Sequence, residues 1–521
     1  MDLFRFYKGN KNSQEPLPKP EKVPLKFSLE ENITEIKKTL GDVNDLLVRE
    51  LTLNNSVKAA VLGIDGLIDS EQAQRLIIYV LTIELPIIES QEVKKRQELF
   101  DYIYNSQISM IDASTGQDLT ELYTKLLTGQ IVVLIDGVAK CMYFDCKGWE
   151  MRSISEPTTE KSLRGPKDSF VETIRVNTAT LRLRIKDPRL RFDAHQIGRS
   201  TKTDVFVAYI EGITNPEYVN IANERITKID LDILLNASEL TQLIEDPKRT
   251  LFPRLIETER PDKVAAALME GQVAIFVDGS PFVILAPFYF TSAFQSIDDY
   301  DNGTIFSSFK RVMRYLCYFA IILTPGFYIA LTTFHQEMIP FSLLITIISQ
   351  RTTHPFSTFV ETLIVLVLFE ILREASLRKP DAIGDSMTIV GSLIIGQTIV
   401  EAGLVSYAAI IMGSLTTIAS FVVSATRINV PARILTVLFM IVGAKLGFFG
   451  LTLAFIMLIT HLCSITSFGE PYLAPMAPFN LQDQKDQLVR LPFTWMKKRP
   501  QILKSQDQVR HNLPNIKKED S

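Results

Sequence analysis

The chain has 521 residues, a formal net charge of −4 at pH 7 and 46% hydrophobic residues. That length exceeds one ordinary domain, and the mild acidity without a basic stripe gives no electrostatic support for nucleic-acid binding. Four cysteines are too few for a disulfide framework.

The average conceals a division along the chain. Residues 1–310 carry charges throughout, residues 311–470 hold long apolar runs with few charges, and residues 477–521 are polar again. Residues 1–27 read as a disordered leader, because Pro16, Pro18, Pro20 and Pro24 stand among Lys, Glu and Asn, a composition that stays solvated. The opening stretch has no apolar core of signal-peptide length, so the region after it is expected on the cytoplasmic side.

Residues 28–155 and 185–300 are expected to fold as two related α/β subdomains, because the sequence there repeats itself. The first copy reads Val61-Leu-Gly-Ile-Asp65-Gly66 and then Gly129-Gln130-Ile-Val-Val-Leu-Ile-Asp136-Gly137. The second reads Val207-Ala-Tyr-Ile-Glu211-Gly212 and then Gly271-Gln272-Val-Ala-Ile-Phe-Val-Asp278-Gly279. Gly66 and Gly212 lie 146 positions apart, and Gly137 and Gly279 lie 142 apart. Each apolar run between Gly-Gln and Asp-Gly predicts a core strand, closed by a turn in which glycine takes positive φ. Helical patterns over Ser70–Leu85, Asp118–Leu127 and Asp262–Met269 precede such strands.

The connecting segment, 156–184, is charged. Arg182, Arg184 and Lys186 alternate with Leu183 and Ile185, the pattern of a strand with one basic face. That face is either a solvated edge or a contact with a subunit or a lipid headgroup.

Residues 311–470 are expected to form an α-helical polytopic membrane domain, with apolar segments at 312–334, 357–372, 383–404, 408–426 and 434–466. Pro325-Gly326 predicts a kink. The last segment is too long for one simple span of roughly 20 residues. It contains Gly443, Lys445, Gly447 and Gly450, and admits either a tilted helix or a broken hairpin. Lys310, Arg311 and Arg314 head the first segment, and Arg378, Lys379, Arg427 and Arg433 mark later cytoplasmic turns. Lys497-Lys498-Arg499 puts the polar C-terminal tail, 477–521, on that side too. This arrangement needs an even number of crossings, which five segments do not supply.

Enzyme signatures are missing: there is no Walker A loop, GxSxG, HExxH or GxGxxG pattern. The five histidines, at 195, 335, 354, 461 and 511, are not spaced as a metal pair. No catalytic residue, cofactor or metal is therefore expected. The informative polar residues lie in the apolar half, where an ionisable group is costly and usually meets a partner or water. Glu370, Arg373 and Glu374 share one helix face, and Glu361 lies toward the opposite end of that segment. They form either an interfacial ion-pair cluster or a coupling element. In 383–404, Ser386, Val390, Leu393, Ile394, Gln397 and Glu401 fall in one stripe, polar at its ends and aliphatic between. The stripe suits a pore with an aliphatic gate, or an ordinary buried helix bonded to its neighbours.

Several blocks are distinctive together: Ser153-Ile-Ser-Glu156-Pro157, Arg164-Gly165-Pro166 running to Phe170-Val-Glu172, and Asn177-Thr-Ala-Thr-Leu181-Arg182-Leu-Arg184. Further blocks are Gln295-Ser296-Ile-Asp298-Asp299-Tyr300, Phe369-Glu370-Ile-Leu-Arg373-Glu374, Gly396-Gln397 with Val400-Glu401, and Pro471-Tyr-Leu-Ala-Pro475. On these blocks the chain, from about residue 35 to 480, resembles an A-type subunit of the GerA family of spore germinant receptors. Ser376 stands where that family often has glycine. The resemblance implies a multi-pass protein of the spore inner membrane in an endospore-forming bacterium. It implies work alongside a transporter-like B-type subunit and a lipoprotein C-type subunit, and an oligomeric ligand-gated ion channel that couples small nutrients to ion release and germination. A secondary transporter and a non-conducting scaffold are the competing readings.

Overall fold

The computed structural model describes residues 23–41, 45–53, 57–84, 96–107, 113–148, 156–160, 162, 164–247, 249–351, 354–377, 396–423 and 426–511. In the first unit, α1 (Leu29–Leu40) precedes β1 (Leu46–Leu53) and β2 (Val57–Ile64). Then come α2 (an α turn at Ser70–Ala73 continued by π turns to Glu84) and α3 (Arg96–Tyr102), followed by β3 (Ala113–Gly116), α4 (Leu119–Leu126), β4 (Gln130–Ile135) and β5 (Cys141–Asp145). The second unit runs α5 (Ile174–Arg184), β6 (Leu190–Ile197), β7 (Thr203–Ile210), α6 (Pro216–Thr227), α7 (Ala237–Ile244), β8 (Ile256–Thr258), α8 (Pro261–Glu270), β9 (Val273–Val277) and β10 (Val283–Ala286).

The two sheets have the same antiparallel order, β1-β2-β4-β5-β3 and β6-β7-β9-β10-β8. Both faces of each sheet are covered, which is why β4 and β9 read as unbroken apolar runs rather than alternating ones. In the first unit, Val132 and Leu134 pack on α1 and α4, while Ile131, Val133 and Ile135 pack on α2 and α3. In the second, Val273, Ile275 and Val277 face α6 and α7, and Ala274 and Phe276 face α5 and α8. The expected turns are present, with φ of +79° at Gly66 and Gly212 and +82° at Gly137 and Gly279.

The repeat extends further than the strand motifs. Asp136 accepts from Leu29 N–H at 3.2 Å, and Asp278 accepts from Ile174 N–H at 3.0 Å. The aspartate of each Asp-Gly turn thus caps the first helix of its own unit. Asn32 exchanges two hydrogen bonds with the backbone of Lys26, and Asn177 does the same with Val171.

The basic strand expected over 182–186 is not formed. Leu181 to Arg184 are the last turn of α5, whose Ile174, Asn177, Thr178, Leu181 and Arg182 are buried at helical spacing. Alternation over five residues is too short to separate a strand from a helix end, and Arg182 turns inward rather than lying on an exposed face.

Past a short helix at Asp298–Asp301, the apolar half is a layer of helices: α9 (Thr304–Thr333), α10 (Phe341–Arg351), α11 (Thr358–Leu377), α12 (Tyr407–Val422) and α13 (Thr426–Ser464). Helix α9 runs unbroken through Pro325. Helix α10 lies between two of the apolar segments read from the sequence. Helix α13 reverses at Gly447, where φ is 61° and ψ −150°. Its first arm climbs α9, with Thr436 donating to Ile321 O at 2.8 Å and Gly443 lying against Gly326. Its second arm returns, with Phe448 beside Phe327 at 4.8 Å between ring centres and Phe455 beside Phe319 at 6.0 Å. The long last segment is therefore a broken hairpin. Among the described residues, two helices, Thr304–Thr333 and Arg427–Ser464, are long and apolar enough to cross a membrane.

Helices and second unit share a core. Phe288, Phe290 and Phe294 pack with Tyr315, Tyr318, Phe439, Leu458 and Tyr472, and the Phe294 and Tyr315 rings stack at 4.0 Å. After α13, β11 (Thr466–Ser467) and β12 (Glu470–Pro471) form a small hairpin. The polar C-terminal segment then folds back onto the second unit, where Phe468, Ala474 and Leu503 join the core of its sheet.

Candidate functional site: the junction of the α/β base and the helical layer

Asp299 is fully buried at the foot of α9. Its carboxylate accepts from Arg311 Nε at 2.9 Å and from both terminal nitrogens of Arg314 at 2.8 and 2.9 Å. Arg311 also donates to Asp486 Oδ1 at 2.8 Å, so the first membrane-length helix is tied at once to the second unit and to the returning C-terminal segment. Gln295 donates to Asp486 O at 2.6 Å, and Tyr300 donates to the Asp486 carboxylate at 2.8 Å. Arg490 donates to the backbone oxygens of Asp299 and Asn302 at 2.8 and 2.7 Å. Burial pushes the Asp299 carboxyl up, but Arg314 and Arg311 outweigh it and hold the group below the usual carboxylate range.

The connecting segment docks on this junction. Ser162 donates to Asp298 at 2.8 Å, and Pro166 O accepts from the buried Arg260 at 2.9 Å. Pro157 is buried, Glu156 pairs with Lys167 on the surface, and Arg164, Gly165 and Pro166 lie at or near the surface. The backbone of Glu172 accepts from Gly279 N–H at 2.8 Å, and Asn177 holds its bracket on Val171. Arg182 pairs with Asp45 and stacks on Phe192, bridging the two units, while Arg184 reaches Asp168 at 2.6 Å. The positions chosen from motifs thus gather along one seam that joins the two units, the linker and the base of the helices.

The intramembrane candidates do not converge. Glu361 is buried near the far end of the layer and accepts from the Ser406 hydroxyl at 2.8 Å, which pins α11 to the N-cap of α12. Glu370 lies near the base, paired with Arg373 and with Arg433 of α13 at 2.6 Å; Glu374 is exposed one turn on. Gln397 and Glu401 are exposed at the start and end of a helical stretch, 396–401, that leads to the far end. Ser386, Val390, Leu393 and Ile394 lie outside the described residues. No cluster of three metal-ligating side chains occurs among the described residues.

The sequence reading missed the roles of Arg311, Arg314, Asp486 and Arg490. Arg311 and Arg314 appear there only as flanking positive charges, and nothing local pairs Arg311 with Asp486, 175 positions away.

The model of the Bacillus/Clostridium GerA spore germination protein family matches residues 34–502. The chain belongs to this GerA family. It is 38% identical to spore germination protein KA of Bacillus subtilis over 98% of this chain and 95% of that one. It is 35% identical to the membrane protein YfkQ of the same organism over 92% and 91%. The crystal structure of the N-terminal domain of the A subunit of the Bacillus megaterium spore germinant receptor GerK3 matches 52% of this chain and 98% of that one, at 32% identity and a TM-score of 0.40. Among GerA proteins this chain stands with the A type and has a role in spore germination.

Proposed function

We propose that this chain is the A-type, non-enzymatic subunit of a nutrient germinant receptor in the spore inner membrane. There it couples detection of small nutrients by the receptor to ion release, as an oligomeric ligand-gated channel. Its partners would be B-type transporter-like and C-type lipoprotein subunits. The observation that carries the reading is the Asp299–Arg311–Asp486 node, which bonds the foot of α9 into the α/β base. A rotation of the base is passed directly to the helical layer, because no bond in that node is local to one element.

The helix order supports an even number of crossings. Helix α9 leaves the base and α11 returns to it. Helix α12 runs from the far end to the base, and the two arms of α13 leave the base and return to it. Both soluble segments then share one side, the cytoplasmic one, which Lys310, Arg427 and Arg433 favour by their positive charge. Gln397 and Glu401, exposed on this chain, face water or a neighbouring copy rather than hydrocarbon, where a carboxylate costs at least about 2.5 kcal/mol. That supports a path lined by the 383–404 segment, with Val390 to Ile394 closing it.

The test is ion flux. Val390→Ala and Leu393→Ala, singly and together, are expected to cause leak or premature germination. If the protein accumulates normally and flux is unchanged in all three, the gate is elsewhere. A reconstituted oligomer that passes no current would favour the scaffold reading.

A further inference from the structure

Helix α9 stands on the base through the buried Asp299 node. Helix α13 has a foothold of its own, on the stretch of the second unit from α7 to β8. Glu257 lies in the middle of β8, a three-residue edge strand bonded on one side to β10. Its carboxylate accepts from the hydroxyls of Ser238 at 2.8 Å and Thr241 at 2.6 Å, both on α7. It also pairs with Arg427 in the first turn of α13, and Arg427 donates to Ser238 Oγ at 3.3 Å. The returning arm of α13 meets the same stretch. Thr250 Oγ1 lies 2.9 Å from His461 Nε2, and the Phe252 ring stands 6.3 Å from that imidazole. Both arms of the hairpin therefore rest on residues 237–258.

Helices α11, α12 and α13 are bonded to one another. Asn429 donates to Ser420 O at 3.3 Å and Val423 O at 3.1 Å, which fixes the corner between α12 and α13. Ser406 at the head of α12 is held by Glu361 of α11, and Arg433 of α13 by Glu370 of α11. A pull at Arg427 thus reaches all three helices, and the 383–404 segment lies between two of them in the chain. The two footholds differ in what release leaves behind. Opening the Asp299 node takes buried guanidinium groups away from a buried carboxylate, which is costly. The Arg427 side chain is 37% exposed, so water meets its charge once it leaves. Glu257 then keeps the hydroxyls of Ser238 and Thr241. Neither charge is stranded, so this contact can open and close again.

We infer that Glu257 and Arg427 form a releasable latch that sets the resting state of the ion path. Paired, they hold α11, α12 and α13 on the base to which α9 is fixed, and the helices stay side by side. Release frees that group to move past α9. A contact made in one of two states biases the equilibrium by its own differential strength, so weakening the pair favours the open state. Glu257 and Arg427 are positioning residues, acting through the helices that they tether. The inference rests on the channel reading above.

The experiment uses dormant spores that carry the full-length chain with Glu257→Gln, Arg427→Gln, both together, or Arg427→Lys. Potassium release into nutrient-free buffer is measured beside the amount of the chain in the spore membrane. Gln at 257 keeps an acceptor for Ser238 and Thr241, so the fold is spared. Each Gln variant is expected to accumulate like wild type and to release potassium at least about threefold faster. The double variant is expected to be no faster than the faster single one, because either change removes the same contact. Arg427→Lys keeps the charge and stays near the wild-type rate. Release that is unchanged or slower in both Gln variants, while Val390→Ala leaks, overturns the latch and leaves the channel reading standing. Singles whose effects multiply in the double variant overturn it too, since the two residues then act separately. Loss of the chain from the membrane in both Gln variants makes the pair a fixed part of the fold and likewise overturns it. No added release from any variant, Val390→Ala and Leu393→Ala included, overturns both readings.

Discussion

Arg314 grips both carboxylate oxygens of Asp299 from one side while Arg311 holds the same group from another, and none of the three side chains is more than slightly exposed. Neutralising the acid takes the carboxylate partner from the buried Arg314 and one of two from the buried Arg311. Asp299→Asn is therefore expected to cost about 3–5 kcal/mol, read as a large drop in the thermal midpoint of the detergent-purified full chain. Glu156→Gln, which breaks the exposed pair with Lys167, is expected to cost under about 1 kcal/mol. Equal effects from the two variants would mean that the node does not anchor the foot of α9 in the base.

Acid should act on the same node. The folded Asp299 carboxyl is held below its usual range, so the unfolded chain binds the proton first as pH falls. The node's contribution is fully present above the unfolded value of about 3.9 and is lost as pH drops through the lower folded value. Between about pH 5 and pH 3 the wild-type midpoint is expected to fall more steeply than that of Asp299→Asn, which has no such proton to take up. Parallel slopes would assign the acid sensitivity to other carboxylates.

How much of this was legible in sequence depended on how local each interaction is. The repeat was legible because its turns require positive φ, and Gly66, Gly137, Gly212 and Gly279 mark them with a residue that adopts it freely. The equivalence of Asn32 and Asn177 was not, because a side chain bracketing a backbone six residues away leaves no fixed pattern of neighbours. The node failed for a stronger form of the same reason: Arg311 meets Asp486 only because α13 doubles back at Gly447 and returns the chain to the base. Helix α10 escaped notice because 11 residues do not reach membrane length.

The two capping aspartates offer a measure of how alike the units are. Asp136→Ala and Asp278→Ala each remove the acceptor for a first-turn N–H and are each expected to cost about 1 kcal/mol. They belong to different sheets, so the double variant is expected to equal the sum within about 0.5 kcal/mol, measured by denaturant unfolding of the full chain. Asn at either position keeps the acceptor and is expected to do less harm. A double variant far worse than the sum would mean that the units unfold as one body through the Arg182–Asp45 bridge.

Gly447 sets the direction in which the last helix runs. Its φ of 61° and ψ of −150° belong to a region essentially reserved for glycine, and a Cβ there would lie 2.9 Å from the His335 ring and 3.1 Å from Phe334 Cβ. Gly447→Ala is expected to destabilise the chain by about 1–3 kcal/mol from backbone strain, with the clash adding to it. The reversal itself is checked with Cys463, which lies exposed near the end of the returning arm while Cys141 and Cys146 are buried. In sealed vesicles of known orientation, a membrane-impermeant thiol reagent is expected to reach Cys463 from the side that holds the α/β base. Labelling only from the opposite side would mean that the second arm runs onward instead of back. The C-terminal segment would then be out of reach of Arg311.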